Sequence, residues 1–289
     1  MAKESKSLKL FHVDYTRWAF HPALWFTICF FFFPLVVMLG ISFWQRVYGR
    51  LIATWDLANY IKFFSSDYLI DSLTNSLEVT VLTTVISIIL AYPLAYILAF
   101  KVPKRVQGIL LLLSVMPFWT AYVVRSYSWL LVISENGVLN VFLNSLGLID
   151  QPLEMAYSQG ATVLGFVHFF TMLITLTIYA NLVQIKPSYW KAAADLGAGP
   201  VRIFFRITLP LSLPGVVVGA FISFVIAIGD YITPQILGGG TDILLPQAIM
   251  LQISRAANFP MASVMAVTLM AVVIIVYAIS AKHMKMERV

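Results

Sequence analysis

The sequence predicts an all-α, polytopic membrane protein with six transmembrane helices, and three observations carry that prediction. Of the 289 residues, 60% are hydrophobic and 11% charged, with a mean hydropathy of +0.88; a soluble domain carries about 25% charged residues. The apolar residues gather into six runs, each near the roughly twenty residues a helix needs to cross a bilayer. The basic residues collect in alternate segments between those runs.

The runs are 22–44, 73–100, 107–133, 159–184, 212–236 and 258–281. The first is longer than a signal-peptide core and lacks a clear small-x-small cleavage site, so it reads as an uncleaved span. Cys29 lies within it as a small buried or lipid-facing residue, and a single cysteine forms no internal disulfide. The tail 1–21 carries Lys3, Lys6, Lys9 and Arg17, and the second run is followed by Lys101, Lys104 and Arg105. The fourth run opens into a long loop, 185–211, with Lys186, Lys191, Arg202 and Arg206, and the sixth ends in a tail, 282–289, with Lys282, Lys285 and Arg288. These account for most of the 19 Lys and Arg residues. The alternate segments 45–72, 134–158 and 237–257 hold Asp56, Asp67, Asp71, Glu135, Asp150, Glu154 and Asp242. The positive-inside rule then places both termini and the 185–211 loop in the cytoplasm. The three acidic segments are too short for domains but long enough for short helices on the outer face; Gly238 to Gly240 reads as a flexible turn there. The transmembrane domain is expected to run from 22 to 281 without a linker.

A pI of about 9.4 calls for no nucleic-acid partner, because the basic residues are explained by topology. No G-x-x-x-x-G-K-[ST] phosphate loop is present, so ATP is not expected to bind this chain. Four scattered His residues argue against a membrane enzyme, and neither a catalytic nor a metal site is expected.

The most specific feature is Lys191 to Pro210, KAAADLGAGPVRIFFRITLP. Pro187, with Ser188 as N-cap, is expected to start a helix. Ala192, Ala193 and Ala194 extend it with a smooth surface onto which another protein can pack. Gly197, Gly199 and Pro200 end it. A second short segment, Val201 to Leu209, then leads to Pro210 and Pro214 at the membrane. Ala192, Ala193, Gly197, Ile207, Leu209 and Pro210 match the pattern x-A-A-x-x-x-G-x(9)-I-x-L-P.

This resembles the EAA loop by which permease subunits of bacterial ABC importers engage their ATPase. The motif has Glu where this chain has Lys191; Glu there is expected to complete a capping box with Ser188. Lys191 can instead pair with Asp195 four residues on. Further stretches are similar to the spermidine/putrescine-type branch: Pro117 to Thr120 with Arg125, Tyr127 and Trp129; Asn136 to Asn140; Asp150 to Leu153; Gly229 to Pro234; and Leu237 to Gly239. Related permeases carry opines, 4-aminobutyrate-like amino acids or ferric iron.

The resemblance implies an ABC importer permease (MetI-like) fold in a bacterial inner membrane. The ATPase-coupling residues would be Lys191, Ala192, Ala193, Asp195, Leu196, Gly197, Ile207, Leu209 and Pro210. The implied partners are a second, homologous permease, two ABC ATPase subunits and an extracytoplasmic solute-binding protein. No cofactor is implied in this chain, since ATP and Mg would belong to the ATPase. A secondary transporter or channel is the competing class, and it does not need such a loop.

Ionisable residues at membrane depth are costly and are functional candidates by default. Glu78, Arg125, His168 and Asp230 stand out, and Arg125, His168 and Asp230 share a layer roughly 10–14 Å below the outer surface at 1.5 Å per residue. Phe118, Tyr122, Arg125 and Trp129 fall on one helical face if the third run is a single helix. Aromatic faces with a carboxylate suit an ammonium group. These six residues, Phe118, Tyr122, Arg125, Trp129, His168 and Asp230, are the substrate-pathway candidates. Two readings of Arg125 and Asp230 stand at this point: a helix clamp in which each neutralises the other, or groups that meet the solute. His168 alone reads first as a hydrogen-bonded core histidine, and Tyr127 and Trp129 as interface anchors.

Overall fold

The computed structural model describes residues 21–22, 24–240 and 242–284. Lys3, Lys6, Lys9, Arg17, Lys285 and Arg288, on which part of the side assignment rests, lie outside the described residues.

Among the described residues five helices are long and apolar enough to cross a membrane: α1 (Leu24–Ser42), α3 (Asp67–Phe100), α7 (Gln159–Leu182), α9 (Pro200–Gly229) and α12 (Phe259–Met284). The sixth predicted crossing, 107–133, is not one helix. It is α4 (Lys104–Val115), a 3₁₀ turn (Met116–Trp119) and α5 (Tyr122–Ile133). Pro117 has no N–H to give an α-helical ladder, and Ala121 is extended at φ −53°, ψ 132°. Each twelve-residue half is about 18 Å long, so neither crosses alone.

Shorter elements fill the connections: α2 (Ala58–Phe64), α6 (Val138–Ser145), α8 (Pro187–Asp195), α10 (Ile232–Leu237) and α11 (Leu245–Ser254). The expectation of helices in the acidic segments holds for α2, α6 and α11. The first segment also carries a hairpin not foreseen, β1 (Gln45–Val47) against β2 (Arg50–Ile52). Tyr48 (φ +44°) and Gly49 (φ +78°) make its two-residue turn, the left-handed pair that fits the twist of antiparallel strands.

α7 is the central post. Phe166, Phe170, Ile174, Ile178 and Leu182 are all buried and recur every four residues, making one continuous stripe. They face α3, whose buried side is small: Ser76, Thr80, Thr83, Ser87, Ala91 and Ala95. Large side chains on one helix enter the groove left by small ones on the other, the packing that holds helices together where lipid removes the hydrophobic drive. α9 also approaches α7 closely. A methyl on Gly215 would lie 2.7 Å from the Thr177 carbonyl, and one on Gly219 would lie 2.3 Å from Thr177 Oγ1 and 3.3 Å from Ile174 Cα. α12 packs on α1 and α9, and α11 inserts Leu245 and Ala248 between Met261, Met265 and Phe63.

Two wide π-type turns, Ile28–Phe32 and Phe204–Thr208, each end two residues before a proline, Pro34 and Pro210. The N–H of Leu209 reaches back five residues to Phe204, so the ladder is already shifted where the donor is missing. α9 therefore starts at Pro200 rather than 212, and runs unbroken through Pro210 and Pro214. Val201 to Leu209 is its first part, not a separate short helix.

Candidate functional site

Two interruptions come together in space. α9 stops at Gly229, Asp230 is extended (φ −82°, ψ 128°), and α10 begins at Ile232; the predicted run 212–236 is thus broken as well. Asp230 Oδ1 accepts from the Ile232 N–H at 2.8 Å and Oδ2 from the Thr233 N–H at 3.3 Å. Such local acceptance by an Asx side chain is what lets a chain turn between two helices. Across the gap stands Tyr122, the first residue of α5. Its hydroxyl donates to Asp230 Oδ2 and accepts from Thr233 Oγ1 at 2.6 Å. One carboxylate therefore serves three donors, two on its own chain turn and one from the other interrupted segment.

Arg125 is one turn further along α5 and 6% exposed. Its guanidinium lies 4.3 Å from the Phe169 ring centroid and 5.0 Å from that of Tyr122. Among the described residues no ion pair joins Arg125 to Asp230, so the direct clamp is corrected to an indirect link in which Tyr122 touches both. The single aromatic face is corrected too, because Phe118 sits in the 3₁₀ turn before the break. Phe118, Tyr122 and Arg125 nevertheless form one cluster through Phe169, a residue the sequence reading misses. Phe118 stacks on it at 4.8 Å, and Tyr122 meets it edge-on at 6.0 Å. Trp129 donates its indole N–H to His168 Nδ1 at 3.1 Å. Phe118, Tyr122, Arg125 and Asp230 are thus joined by contacts, and the Trp129–His168 pair lines a cavity together with Arg125. Glu78 stands apart, on the exposed side of α3. The cavity, of about 350 Å³, is lined by Thr120, Arg125, Ser128, Trp129, Val132 and His168. Among the described residues no cluster of His, Cys, Asp and Glu could hold a metal ion.

The second candidate region is the 185–211 loop. α8 begins with Lys186 as its N-cap and Pro187 as its first residue, without a side-chain cap. Ser188 is inside the helix, so Lys191 does not occupy the capping-box position, and the expected pair between Lys191 and Asp195 is absent among the described residues. The helix closes on Gly197, at φ +80°. Gly197 N–H bonds the Ala194 carbonyl at 2.9 Å and Ala198 N–H the Ala193 carbonyl at 3.0 Å. This double closure needs a left-handed residue at Gly197, which is why glycine stands there. The turn presents Leu196 at 89% exposed, with Val201 and Phe205 also outward. Trp190 anchors the loop: its indole N–H reaches Thr208 Oγ1 at 3.2 Å, and its ring meets Phe100 edge-on at 4.7 Å.

The family model for binding-protein-dependent transport system inner membrane components matches residues 91–285, which takes in both regions. The chain belongs to that family. This transport-system component is similar to the spermidine/putrescine transport system permease protein PotB of Escherichia coli (strain K12), with 30% identity over 61% of this chain and 66% of that protein. PotB of Salmonella typhimurium (strain SL1344) is 30% identical over 58% of this chain and 59% of its own length. The inner membrane ABC transporter permease protein YdcU of Escherichia coli (strain K12) is 32% identical over 56% and 54%. The chain thus spans about 59–66% of the length of the first curated relatives it matches. Among solved structures, a chain of a bacterial alginate ABC transporter bound to its periplasmic protein superposes with a TM-score of 0.75 at 16% identity, covering 92% of this chain and 93% of that one. A chain of the MetNI methionine ABC transporter gives 0.56 at 16% identity, over 74% and 93%. These two establish a common fold.

Proposed function

We propose that this chain is the transmembrane permease subunit of an ATP-driven ABC importer for small amine-bearing solutes, with polyamines such as spermidine and putrescine as the favoured class. The observation that carries it is the 185–211 loop. It presents exposed Leu196, Val201 and Phe205 on a turn whose geometry is fixed by Gly197 and Trp190. A membrane component with no phosphate loop of its own gains from such a surface only if a separate ATPase docks there. The partners are then two ATPase subunits holding ATP and Mg, a second homologous permease and an extracytoplasmic binding protein. Both termini and the loop face the cytoplasm, and the chain itself holds no cofactor.

In this reading α8 moves with the ATPase as a rigid body. Its displacement passes to α3 and α9, and α9 ends at Asp230. The names of the relatives support the polyamine class, and so does the pairing of the Asp230 carboxylate with the Phe118, Tyr122 and Trp129 rings. In the described state the carboxylate is taken by Tyr122 and two backbone donors. An ammonium group reaching it must displace Tyr122. That gives a solute the differential contact between two states which any ligand-driven switch requires. The test is reconstitution of the chain with its ATPase, second permease and binding protein in proteoliposomes, reading ATP-dependent uptake of labelled putrescine and spermidine. Uptake that proceeds without ATP, on an ion gradient alone, would sink the proposal.

A further inference from the structure

We infer that the cavity beside α5 and α7 is a carboxylate-binding site built on Arg125. The inference rests on the permease reading above and adds the chemistry of one group that the pathway holds.

The first observation is a charge without a direct partner: Asp230 lies near enough to act on Arg125 electrostatically but does not touch it. Arg125 is 6% exposed in the middle of an apolar body, and a buried guanidinium requires a counter-charge or acceptors for its five N–H donors. Its close neighbours are two aromatic faces, Phe169 and Tyr122, which attract a cation but satisfy none of the in-plane donors. The nearest carboxylate, Asp230, is occupied by Tyr122 and the Ile232 and Thr233 amides. Among the described residues nothing else hydrogen-bonds the guanidinium.

The second observation is that the cavity lining supplies donors. The six lining residues include Arg125 and no Asp or Glu. Trp129 gives its N–H to His168 Nδ1, so a neutral His168 carries its own proton on Nε2 and is a donor there. Ser128 has spent its hydroxyl hydrogen on the Val124 carbonyl at 2.8 Å. Thr120 adds a hydroxyl that has no hydrogen-bond partner among the described residues. A cavity of about 350 Å³ that offers a guanidinium, an imidazole N–H and a hydroxyl suits a planar carboxylate, which a guanidinium grips through two parallel bonds. An ammonium group finds no anionic partner in it.

The carboxylate has two possible sources. It is either a free small anion, which neutralises Arg125 so that a cationic solute can pass, or the solute's own carboxylate. The experiment uses the complete transporter in lipid nanodiscs, with thermal unfolding midpoint and titrated Kd as readouts at constant ionic strength. The probes are acetate, 4-aminobutyrate and putrescine; the last two share a four-carbon chain and differ by one carboxylate. Stabilisation by acetate and 4-aminobutyrate alike assigns a bound counter-anion. Stabilisation by 4-aminobutyrate alone assigns the solute's carboxylate. Either way Arg125→Met weakens binding roughly tenfold or more, the loss expected for one charge-assisted hydrogen bond, while Arg125→Lys retains part of it. The inference is overturned if neither carboxylate shifts the midpoint, as when a side chain of the second permease fills the cavity. It is equally overturned if that shift persists in Arg125→Met, or if Arg125→Met abolishes a shift produced by putrescine, whose ammonium groups the reading above assigns to Asp230. ATP-driven uptake by the same preparation reports separately on the importer reading.

Discussion

The Tyr122 hydroxyl bonds the Asp230 carboxylate across two interrupted helical segments, and it is the only side-chain hydrogen bond to that carboxylate among the described residues. Each residue stands at the edge of its own break: Tyr122 opens α5, and Asp230 caps the approach to α10. Breaking a transmembrane helix frees backbone groups that lipid cannot satisfy, so such breaks persist only where protein groups take them up. Here one carboxylate takes up two amides and is itself held by the facing segment.

Tyr122→Phe is therefore expected to cost about 1–3 kcal/mol, the penalty for stripping a partner from a buried polar group. A double-mutant cycle in detergent-purified protein locates the interaction. The coupling between Tyr122→Phe and Asp230→Asn should exceed that between Arg125→Met and Asp230→Asn, since only the first pair touches. Equal couplings would restore the direct Arg125–Asp230 clamp.

Gly219 tests the α7–α9 contact. Its Cβ in any other residue would lie 2.3 Å from Thr177 Oγ1, so Gly219→Leu must push the helices apart. A cost of at least about 1–3 kcal/mol is expected from overpacking, seen as a lower unfolding midpoint. Gly108→Ala in α4, with nothing within 4 Å of its Cβ, is the control and should be neutral or stabilising by about 0.5–1 kcal/mol. Equal midpoints for the two variants would rule out the close contact.

Hydropathy and charge make α1, α3, α7 and α12 legible in the sequence, and the A-A-x-x-x-G loop is legible from spacing alone. What escapes is anything decided by hydrogen bonding along the backbone. The 107–133 run is apolar throughout, and hydropathy does not register that Pro117 and the extended Ala121 divide it. Likewise Asp230 reads as a charge inside a helix when it is the residue that ends one. Phe169 escapes notice because one Phe among 21 looks the same toward lipid as toward Arg125. Gly215 and Gly219, four apart in an apolar run, are a readable small-residue signal for the α7 contact. The Lys191 departure matters less than the motif suggests, because α8 starts two residues earlier than a Ser188 cap requires.

Gly197 separates strain from space. Nothing lies within 4 Å of its missing Cβ, but its φ is +80°. Gly197→Val forces a β-branched residue into a left-handed conformation, at a cost of about 1–3 kcal/mol, and is expected to abolish ATP-driven uptake while the protein still inserts. Gly197→Asn, which tolerates that conformation, should keep most of it. Loss in both, or in neither, would count against the Gly197 turn as the element that shapes the docking surface.

Side assignment is open to direct labelling. In a Cys29→Ser background, cysteines at Lys104, the first residue of α4, and Ser145, at the end of α6, are both exposed. Membrane-impermeant maleimide added to intact cells should label Ser145→Cys and leave Lys104→Cys unmodified until the membrane is opened. The reverse pattern would invert the topology drawn from the basic loops.

Trp190 is expected to decide whether motion of α8 reaches the membrane. Its indole bonds Thr208 Oγ1 in the wide turn near the start of α9, and its ring packs on Phe100 at the end of α3. Phe100 meets Tyr96 at 5.1 Å, Tyr96 and Tyr92 both meet Phe204, and Tyr92 bonds Ser212 at 2.9 Å. Those contacts close a ring through α8, α3 and α9, so the three move together or the ring opens. Edge-to-face pairs are worth about 0.5–1.5 kcal/mol beyond their burial, so Trp190→Ala removes a substantial part of the joint without touching either the exposed docking face or the Asp230 site. The reconstituted variant should keep ATPase activity and lose roughly tenfold in solute imported per ATP, since about 1.4 kcal/mol of coupling is a factor of ten. Thr208→Val, which deletes only the hydrogen bond, should fall between, and Trp190→Phe, which keeps the aromatic contact, should resemble it. A Trp190→Ala transporter that imports at the wild-type ratio would show that α8 drives the membrane helices by some other route.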